Sequence, residues 1–481
     1  MMLTRTDMMA LTPVILVCAT AITVMLGIAW RRQHAVTVLV SALGLNTALL
    51  SLFLFGELGT VRTPMLVFDS VTILGMGMIL VSSLACATFS HAYLDGFPGA
   101  REEFYLLLLC AAAGGMVLTA ADHLATLFFG LELLSMPLYG MLAYTFRDRN
   151  SLEAGIKYLV LSATATAFLL FGMALLYAQT GHLDIPGLVA GMSSGVGPWA
   201  LAGVGLVLVG LCFKLSIIPF HLWTPDVYQG GPGPAVTFLA TASKVAAFIV
   251  LLRIVEAIPA FHGAQAQTLL AALALLTMLA GNLLALLQAN LKRLLGYSSI
   301  AHFGYLMVAI VVADKLAVET SGIYLITYLI TTLGAFGVVT LLSSPYGGED
   351  ASALHYYRGL FWRRPYLAAV LTVAMLSLAG IPFTAGFIGK FYIIALGVEA
   401  QRWWLVAGIV VGSAIGLYYY LRVTITLYLM EPGMQRRDAP NDWGLRAGGL
   451  VVLLLAVLMI LMGVYPSPVV HWMSLLSLAG S

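Results

Sequence analysis

The sequence predicts an all-α polytopic membrane protein of fourteen transmembrane helices, two of them discontinuous. Three observations carry that expectation: the composition, the spacing of the apolar runs, and the distribution of cations between them. Of 481 residues, 61% are apolar and 9% charged, and the mean hydropathy is +0.99. Soluble domains average about 45–50% apolar and about 25% charged. A soluble enzyme, a nucleic-acid binder and a disordered scaffold are thereby excluded. The net charge of +2 is too balanced to suggest an anionic partner. Cys18, Cys86, Cys110 and Cys212 lie in apolar runs without ligand spacing, so they read as small buried apolar residues.

A spanning helix needs about 20 mostly apolar residues. In chain order the candidates are 10–30, 35–56, 66–89, 104–121, 123–145, 157–178, 199–222, 235–257, 266–289, 299–313, 318–342, 366–396, 403–430 and 445–466. Segment 1 is too long for a signal peptide and lacks an A-x-A site. Segment 10 is short, and segment 12 is long and interrupted at Gly380-Ile381-Pro382. One side of the membrane collects twelve cations: Arg31, Arg32, Arg101, Arg147, Arg149, Lys292, Arg293, Arg358, Arg363, Arg364, Arg436 and Arg437. The other collects four: Arg5, Arg62, Lys315 and Arg402. The positive-inside rule then makes the first side cytoplasmic and puts both termini outside, in the periplasm. The longest connections, 343–365 and 431–444, are charged loops, so residues 1–481 form a single membrane domain.

Charges inside the spans stand out. Arg253, Arg422 and Arg446 fall near helix ends, where snorkelling explains them. Lys157 follows Glu153 by four residues, an interfacial pair on one helical face. Lys244 is different, roughly 14 Å deep at about 1.5 Å per residue, and Glu132 lies equally deep in segment 5. Lys214 precedes Pro219 by five residues, and Lys390 follows Pro382 by eight. A central charge costs about 2.5–3.5 kcal/mol on insertion scales, so these four groups signal function. A buried amine near a buried carboxylate has two charge states close in energy, which suits proton transfer. Glu132 is the only acid available for such a switch with Lys214. His302, in segment 10, suits a relay between lysines. His221, beside Trp223-Thr224-Pro225-Asp226, fits a helix-terminating turn as well as a proton entrance. Tyr418-Tyr419-Tyr420 and Trp403-Trp404 read as interfacial aromatics.

Segments 7 and 12 share Ile-Pro-Phe, at 218–220 and 381–383. Proline breaks a helix, and a break in a membrane needs protein or water to satisfy the freed backbone. Each break is the fourth member of a set of five. Helices 1–3 (10–89) precede repeat 1 (helices 4–8, 104–257) and repeat 2 (helices 9–13, 266–430), and helix 14 (445–466) follows. Five is odd, so a duplicated unit inserts inverted, the arrangement of transporters with midplane sites.

The stretch FKLSIIPFHLWTPDVYQGGPGPAVTFLATASK (213–244) resembles the antiporter-like subunits of bacterial respiratory complex I. FFGLELLSMPLYG (128–140), ANLKRLLGYSSIAHFGYLM (289–307), YYRGLFWRRP (356–365), LAGIPFTAGFIGKFY (378–392) and VVGSAIGLYYYLRV (410–423) extend the resemblance over the whole chain. It implies a glutamate–lysine pair at Glu132 and Lys214, with Lys244, His302 and Lys390 completing a proton route. It further implies a subunit without redox groups or independent catalysis in a proton-pumping NADH:quinone oxidoreductase of the bacterial inner membrane. FMN, iron–sulfur clusters and quinone then belong to partner subunits, and no cofactor or metal to this chain. The implied partners are neighbouring membrane-arm subunits and the lipid bilayer, not nucleic acid. A chain ending fifteen residues after Pro466 fits the antiporter-like subunits without a long lateral helix. The alternative is an Mrp-type Na+/H+ antiporter subunit, which shares this core.

Overall fold

A computed structural model describes residues 4–53, 59–95, 97, 99–193, 195–343, 350–430 and 447–479, with the side chains of 315 and 475–479 set aside. Arg436, Arg437 and Arg446 lie outside the described residues. The helices are α1 (Arg5–Trp30), α2 (His34–Phe53), α3 (Ser70–Leu94), α4 (Glu102–Thr119), α5 (Leu124–Leu142), α6 (Arg149–Thr180), α7 (Ile185–Met192), α8 (Pro198–Leu215), α9 (Trp223–Gly230) and α10 (Gly233–Phe238). They continue as α11 (Lys244–Ala257), α12 (Ala264–Leu286), α13 (Leu291–Val312), α14 (Lys315–Leu342), α15 (Leu360–Arg363), α16 (Pro365–Ala379), α17 (Ala385–Glu399), α18 (Trp403–Tyr428), α19 (Ala447–Val464) and α20 (Ser467–Ala479).

Thirteen helices among the described residues are long and apolar enough to span a bilayer. Predicted segment 12 is instead two half-helices, α16 and α17, each too short to cross alone. Segment 7 ends at Leu215 and resumes as α9 after a turn. Segment 8 is one continuous span, but its middle is a π turn, Leu239–Ser243, immediately before Lys244.

Several predicted bounds shift, and capping explains them. Segment 10 is not short: α13 starts at Leu291, because Asn290 accepts a hydrogen bond from the Arg293 backbone N–H at 3.0 Å. Its first turn carries Lys292 and so resembles a loop in sequence, yet Lys292 is 1% exposed and paired with Asp350 at 2.7 Å. α6 starts eight residues before its predicted bound, capped by Asp148, and Gly181 closes it at φ 73°. Segment 3 begins at Ser70 behind the Asp69 cap, because the residues before it form a hairpin of β1 (Val61–Arg62) and β2 (Val67–Phe68). Arg253 does not snorkel; it grips Asp69 through two hydrogen bonds of 2.8 and 2.6 Å. Arg422 donates to the Leu286 and Gln288 carbonyls at the end of α12. Cys86 and Cys212 are buried as expected, but Cys110 is half-buried and Cys18 faces outward.

Without a hydrophobic force between helices in lipid, close packing of small residues decides which helices pair. A Cβ on Gly281 of α12 would meet the Ala301 backbone at 2.8 Å, and one on Gly304 of α13 would meet that of Met278 at 2.5 Å. α12 and α13 therefore touch along their backbones. α4 pairs with α5 and α6 with α8, while α12 pairs with α13 and α14 with α16 and α17. The span Gly233–Ala257 is 100% buried and α13 and α14 are 94% buried, against 22% for α1. The three innermost spans thus carry Lys244, His302 and the ladder of hydroxyls between them.

Candidate functional site

Glu132 lies on α5, and its Oε1 accepts from Thr166 Oγ1 of α6 at 2.8 Å. Lys214, the penultimate residue of α8, is 2% exposed. Its Nζ donates to Ser135 Oγ at 2.7 Å and to Tyr158 OH at 2.6 Å. Both predicted members of the pair thus face one site, but no ion pair joins them among the described residues. A cavity of about 10 Å³, lined by Ser162, Thr166, Gly210, Phe213 and Lys214, touches Lys214 and the threonine that holds Glu132.

The break after α8 is built around this lysine. Ser216 sits in the left-handed region at φ 63°, and its hydroxyl bonds to that of Thr224 at 2.5 Å. Trp223 Nε1 donates to the Phe213 carbonyl at 2.9 Å, and the Ile218 N–H donates to Thr277 Oγ1 at 3.1 Å. The freed backbone groups are therefore satisfied by protein. His221 is 8% exposed in this turn, and its Nδ1 has no hydrogen-bond partner.

Lys244 is fully buried at the end of the π turn. Its Nζ donates to Ser299 Oγ of α13 at 2.8 Å and lies 3.4 Å from the Leu215 carbonyl. The Phe303 ring centroid is 4.9 Å from the same nitrogen, a cation–π contact. Ser299 Oγ is 2.7 Å from Tyr328 OH, which also donates to the Ala240 carbonyl inside the π turn at 3.1 Å. π turns displace backbone partners and recur at functional positions; here a tyrosine takes up one such carbonyl.

One helical turn on, His302 Nδ1 meets Tyr324 OH at 2.7 Å and Nε2 meets Tyr420 OH at 3.2 Å. Ser299 and His302 occupy successive turns of α13, as Tyr328 and Tyr324 do on α14, so the two pairs stack as rungs. Tyr305, the next residue on that α13 face, accepts from Asn282 Nδ2 at 2.7 Å, and Lys390 Nζ lies 5.5 Å from its ring centroid. Lys390 donates to the Ala379 carbonyl at 2.8 Å, capping the carbonyl end of α16 from the first turns of α17. Gly380 turns the chain at φ 82°, and a Cβ there would meet Lys390 Cδ at 2.7 Å, so the lysine stem lies across a position open only to glycine. A cavity of about 10 Å³ is lined by His302, Tyr324, Tyr328, Thr331 and Ser377.

Lys214, Lys244, His302 and Lys390 are buried and Glu132 is half-buried; Glu132 and Lys214 share one group of hydroxyls, and Lys244, His302 and Lys390 line up against α13. Tyr419 and Tyr420 are not interfacial: both are buried, Tyr419 donating to Asn282 and Tyr420 touching His302, and only Tyr418 faces outward with Trp403 and Trp404. Sequence reasoning missed Ser135, Tyr158, Thr166, Ser299, Tyr324, Tyr328 and Asn282. The available signal was helical spacing: Ser135 is one turn after Glu132, Ser299 one turn before His302.

Outside this line, Lys157 bonds Glu153 at 2.6 Å as expected and also Asp226 at 2.9 Å, which Arg293 holds from the other side at 2.5 Å. These groups line an open cavity of about 210 Å³ at the end of α9. Burial raises the Asp226 carboxyl, but the two cations outweigh it and hold it below its ordinary value.

The model for the transmembrane region of NADH:quinone oxidoreductase/Mrp antiporter proteins matches residues 121–416. A Chromohalobacter salexigens protein named NADH-quinone oxidoreductase subunit N is 66% identical over 97% of this chain and 98% of its own length. A chain of respiratory complex I from Thermus thermophilus superposes with a TM-score of 0.82 at 35% identity, covering 95% of this chain and 98% of that one. A chain of the Mrp complex from a Dietzia species reaches a TM-score of 0.84 at 19% identity, covering 98% and 97%, a likeness of fold alone.

Proposed function

The chain belongs to the NADH:quinone oxidoreductase/Mrp antiporter transmembrane family, and from that premise we propose that half-buried Glu132 and the buried Lys214, Lys244, His302 and Lys390 carry protons across the bilayer. It is a proton-translocating membrane-arm subunit of NADH:quinone oxidoreductase, working beside other subunits of that complex. The Mrp alternative is weaker, because the Mrp chain shares the fold at 19% identity while a subunit N shares 66%.

One observation supports the residue assignment above others. Lys244, His302 and Lys390 are buried against a single face of α13, with the hydroxyls of Ser299, Tyr328 and Tyr324 around the first two and the Tyr305 ring beside the third. Burial favours the neutral amine and hydrogen-bond acceptors favour the ammonium, so a lysine held by both can keep or release its proton as its surroundings change. On this reading a proton enters from the cytoplasm towards Lys244, passes the Ser299–Tyr328 and His302–Tyr324 rungs, and waits at Lys390. A change at Glu132 and Lys214, driven by a neighbouring subunit, expels it to the periplasm. Moving one charge against 100 mV costs about 2.3 kcal/mol, which the redox partners supply. Flavin, iron–sulfur clusters and quinone are assigned to those partners, and this chain performs no redox step and no independent catalysis. The bacterial inner membrane, with both termini periplasmic, is the location this vectorial reading requires.

The test is Lys214→Ala and Glu132→Ala in the assembled complex. Both are expected to depress NADH-driven proton pumping, and the coupled quinone reduction with it, while the complex still assembles. Normal pumping by an assembled Lys214→Ala complex would overturn the assignment.

A further inference from the structure

Thr166 breaks a pattern that the other threonines of its helix keep. A threonine in a spanning helix ordinarily donates to the carbonyl four residues back, as Thr164 does to Val160 at 2.9 Å and Thr180 to Leu176 at 2.8 Å. Thr166 instead reaches across to α5 and donates to Glu132 Oε1. The carboxylate is therefore held by a neutral donor on α6 and not by the ammonium that the sequence pairs with it. Lys214 is correspondingly held by Ser135 and Tyr158, two neutral acceptors. The cavity touching both Thr166 and Lys214 has polar lining on Ser162, Thr166 and Lys214 and about 10 Å³ of space, close to the room of one water.

Resting on the assignment of Glu132 and Lys214 above, we propose that Thr166 is a positioning residue that holds Glu132 disengaged from Lys214, so that Glu132 exchanging Thr166 for Lys214 is the switch. The two arrangements differ in charge pairing and in little else. With Glu132 on Thr166, the lysine has only neutral partners and the carboxylate keeps one strong donor. With Glu132 on Lys214, ammonium and carboxylate compensate each other, and the Thr166 hydroxyl turns back to its own helix, to the carbonyl of Ser162. Neither state strands a buried polar group, and both partners lie at one cavity. A hydroxyl donating to a charged acceptor is worth about a tenfold bias, enough to hold a switch yet small enough for a neighbouring subunit to override.

The experiment uses the complete complex in membrane vesicles, with Thr166→Val, Thr166→Ala and Thr166→Ser alone and in a Glu132→Gln background. Turnover and protons moved per electron are measured per assembled complex. Thr166→Val and Thr166→Ala remove the donor and are expected to slow coupled turnover about tenfold, and Thr166→Ser restores it to within about twofold because it keeps the hydroxyl. In the Glu132→Gln background the same changes are expected to add nothing. Wild-type behaviour of the alanine variant, a serine variant as slow as alanine, or losses that multiply with Glu132→Gln would each overturn the proposal. The two readings separate cleanly: an inactive Lys214→Ala complex beside a normal Thr166→Ala complex sinks the positioning role alone, while a normal Lys214→Ala complex sinks the function beneath it.

Discussion

Tyr158→Phe isolates one bond at the site. The Tyr158 hydroxyl accepts from Lys214 at 2.6 Å, and Ser135 is the other acceptor at 2.7 Å. The ring does separate work, lying 4.9 Å from Trp223 and 5.4 Å from Tyr139 by centroid. Phenylalanine keeps that packing and deletes only the oxygen. A hydrogen bond to a charged group is worth about 1.5–3 kcal/mol in soluble proteins, and polar bonds between membrane helices average about 0.6 with a maximum near about 1.7 kcal/mol. The site is buried but Ser135 remains, so about 1–2 kcal/mol is the reasonable range, a factor of about 5–30 in the charge equilibrium of Lys214. NADH-driven pumping into vesicles, followed with a pH-sensitive dye and normalised to assembled complex, is expected to fall by up to that factor. An assembled Tyr158→Phe complex that pumps at the wild-type rate would refute the idea that Lys214 is tuned by its neutral acceptors.

Two further predictions concern charges away from the candidate site. Lys292 and Asp350 are buried together, with Tyr93 donating to the same carboxylate at 2.8 Å and Lys292 also donating to the Gly231 carbonyl. Removing either partner alone strands a buried charge at a cost of about 3–5 kcal/mol. Lys292→Met or Asp350→Leu is therefore expected to reduce assembly strongly and the double variant less, read from complex yield on native gels. At Asp69, burial raises the carboxyl, but the Arg253 charge and hydrogen bonds together with those of Thr72 outweigh it and hold it below 3.8. A depressed carboxylate contributes stability that is present above its unfolded value and lost as pH falls through the folded one. Acidification below about pH 4 is expected to lower the unfolding temperature of the solubilised complex, and Asp69→Asn to remove part of that acid dependence.

The charged members of the candidate site were legible in sequence, and their hydroxyl partners were not, for a physical reason. A lysine deep in an apolar run has no cheap explanation, so Lys214, Lys244 and Lys390 declare themselves, as Glu132 does. A serine or threonine there does have one, since it satisfies itself on its own helix. Only coordinates separate Thr166, which does not, from Thr164, which does. Helix bounds failed where a charge was neutralised by a distant residue, as at Lys292, whose partner lies 58 residues away. Tyr419 and Tyr420 were misread because adjacency to an exposed Tyr418 looks like a membrane-surface belt, whereas two of the three face inward. A Glu132–Lys214 contact was open in the sequence and paired only by the resemblance, and which neighbour each group prefers depends on rotamers that no spacing encodes.

The π turn before Lys244 has a consequence for how the chain tolerates change. Five residues, Leu239–Ser243, wind with one residue more than an α-turn would use. That surplus residue acts as a phase shift. Everything from Lys244 onward is rotated by about 100° relative to an uninterrupted helix begun at Gly233. The side chain that points at Ser299 is thus selected by counting, through the number of residues between Gly233 and Lys244. An uninterrupted α-helix over the same residues would bury its lysine just as deeply but turn it by about 100° to a different neighbour, whereas losing the surplus residue and the π turn together would leave it facing Ser299. Residue number and the π turn are therefore constrained together over this stretch, a change in one having to be matched by the other.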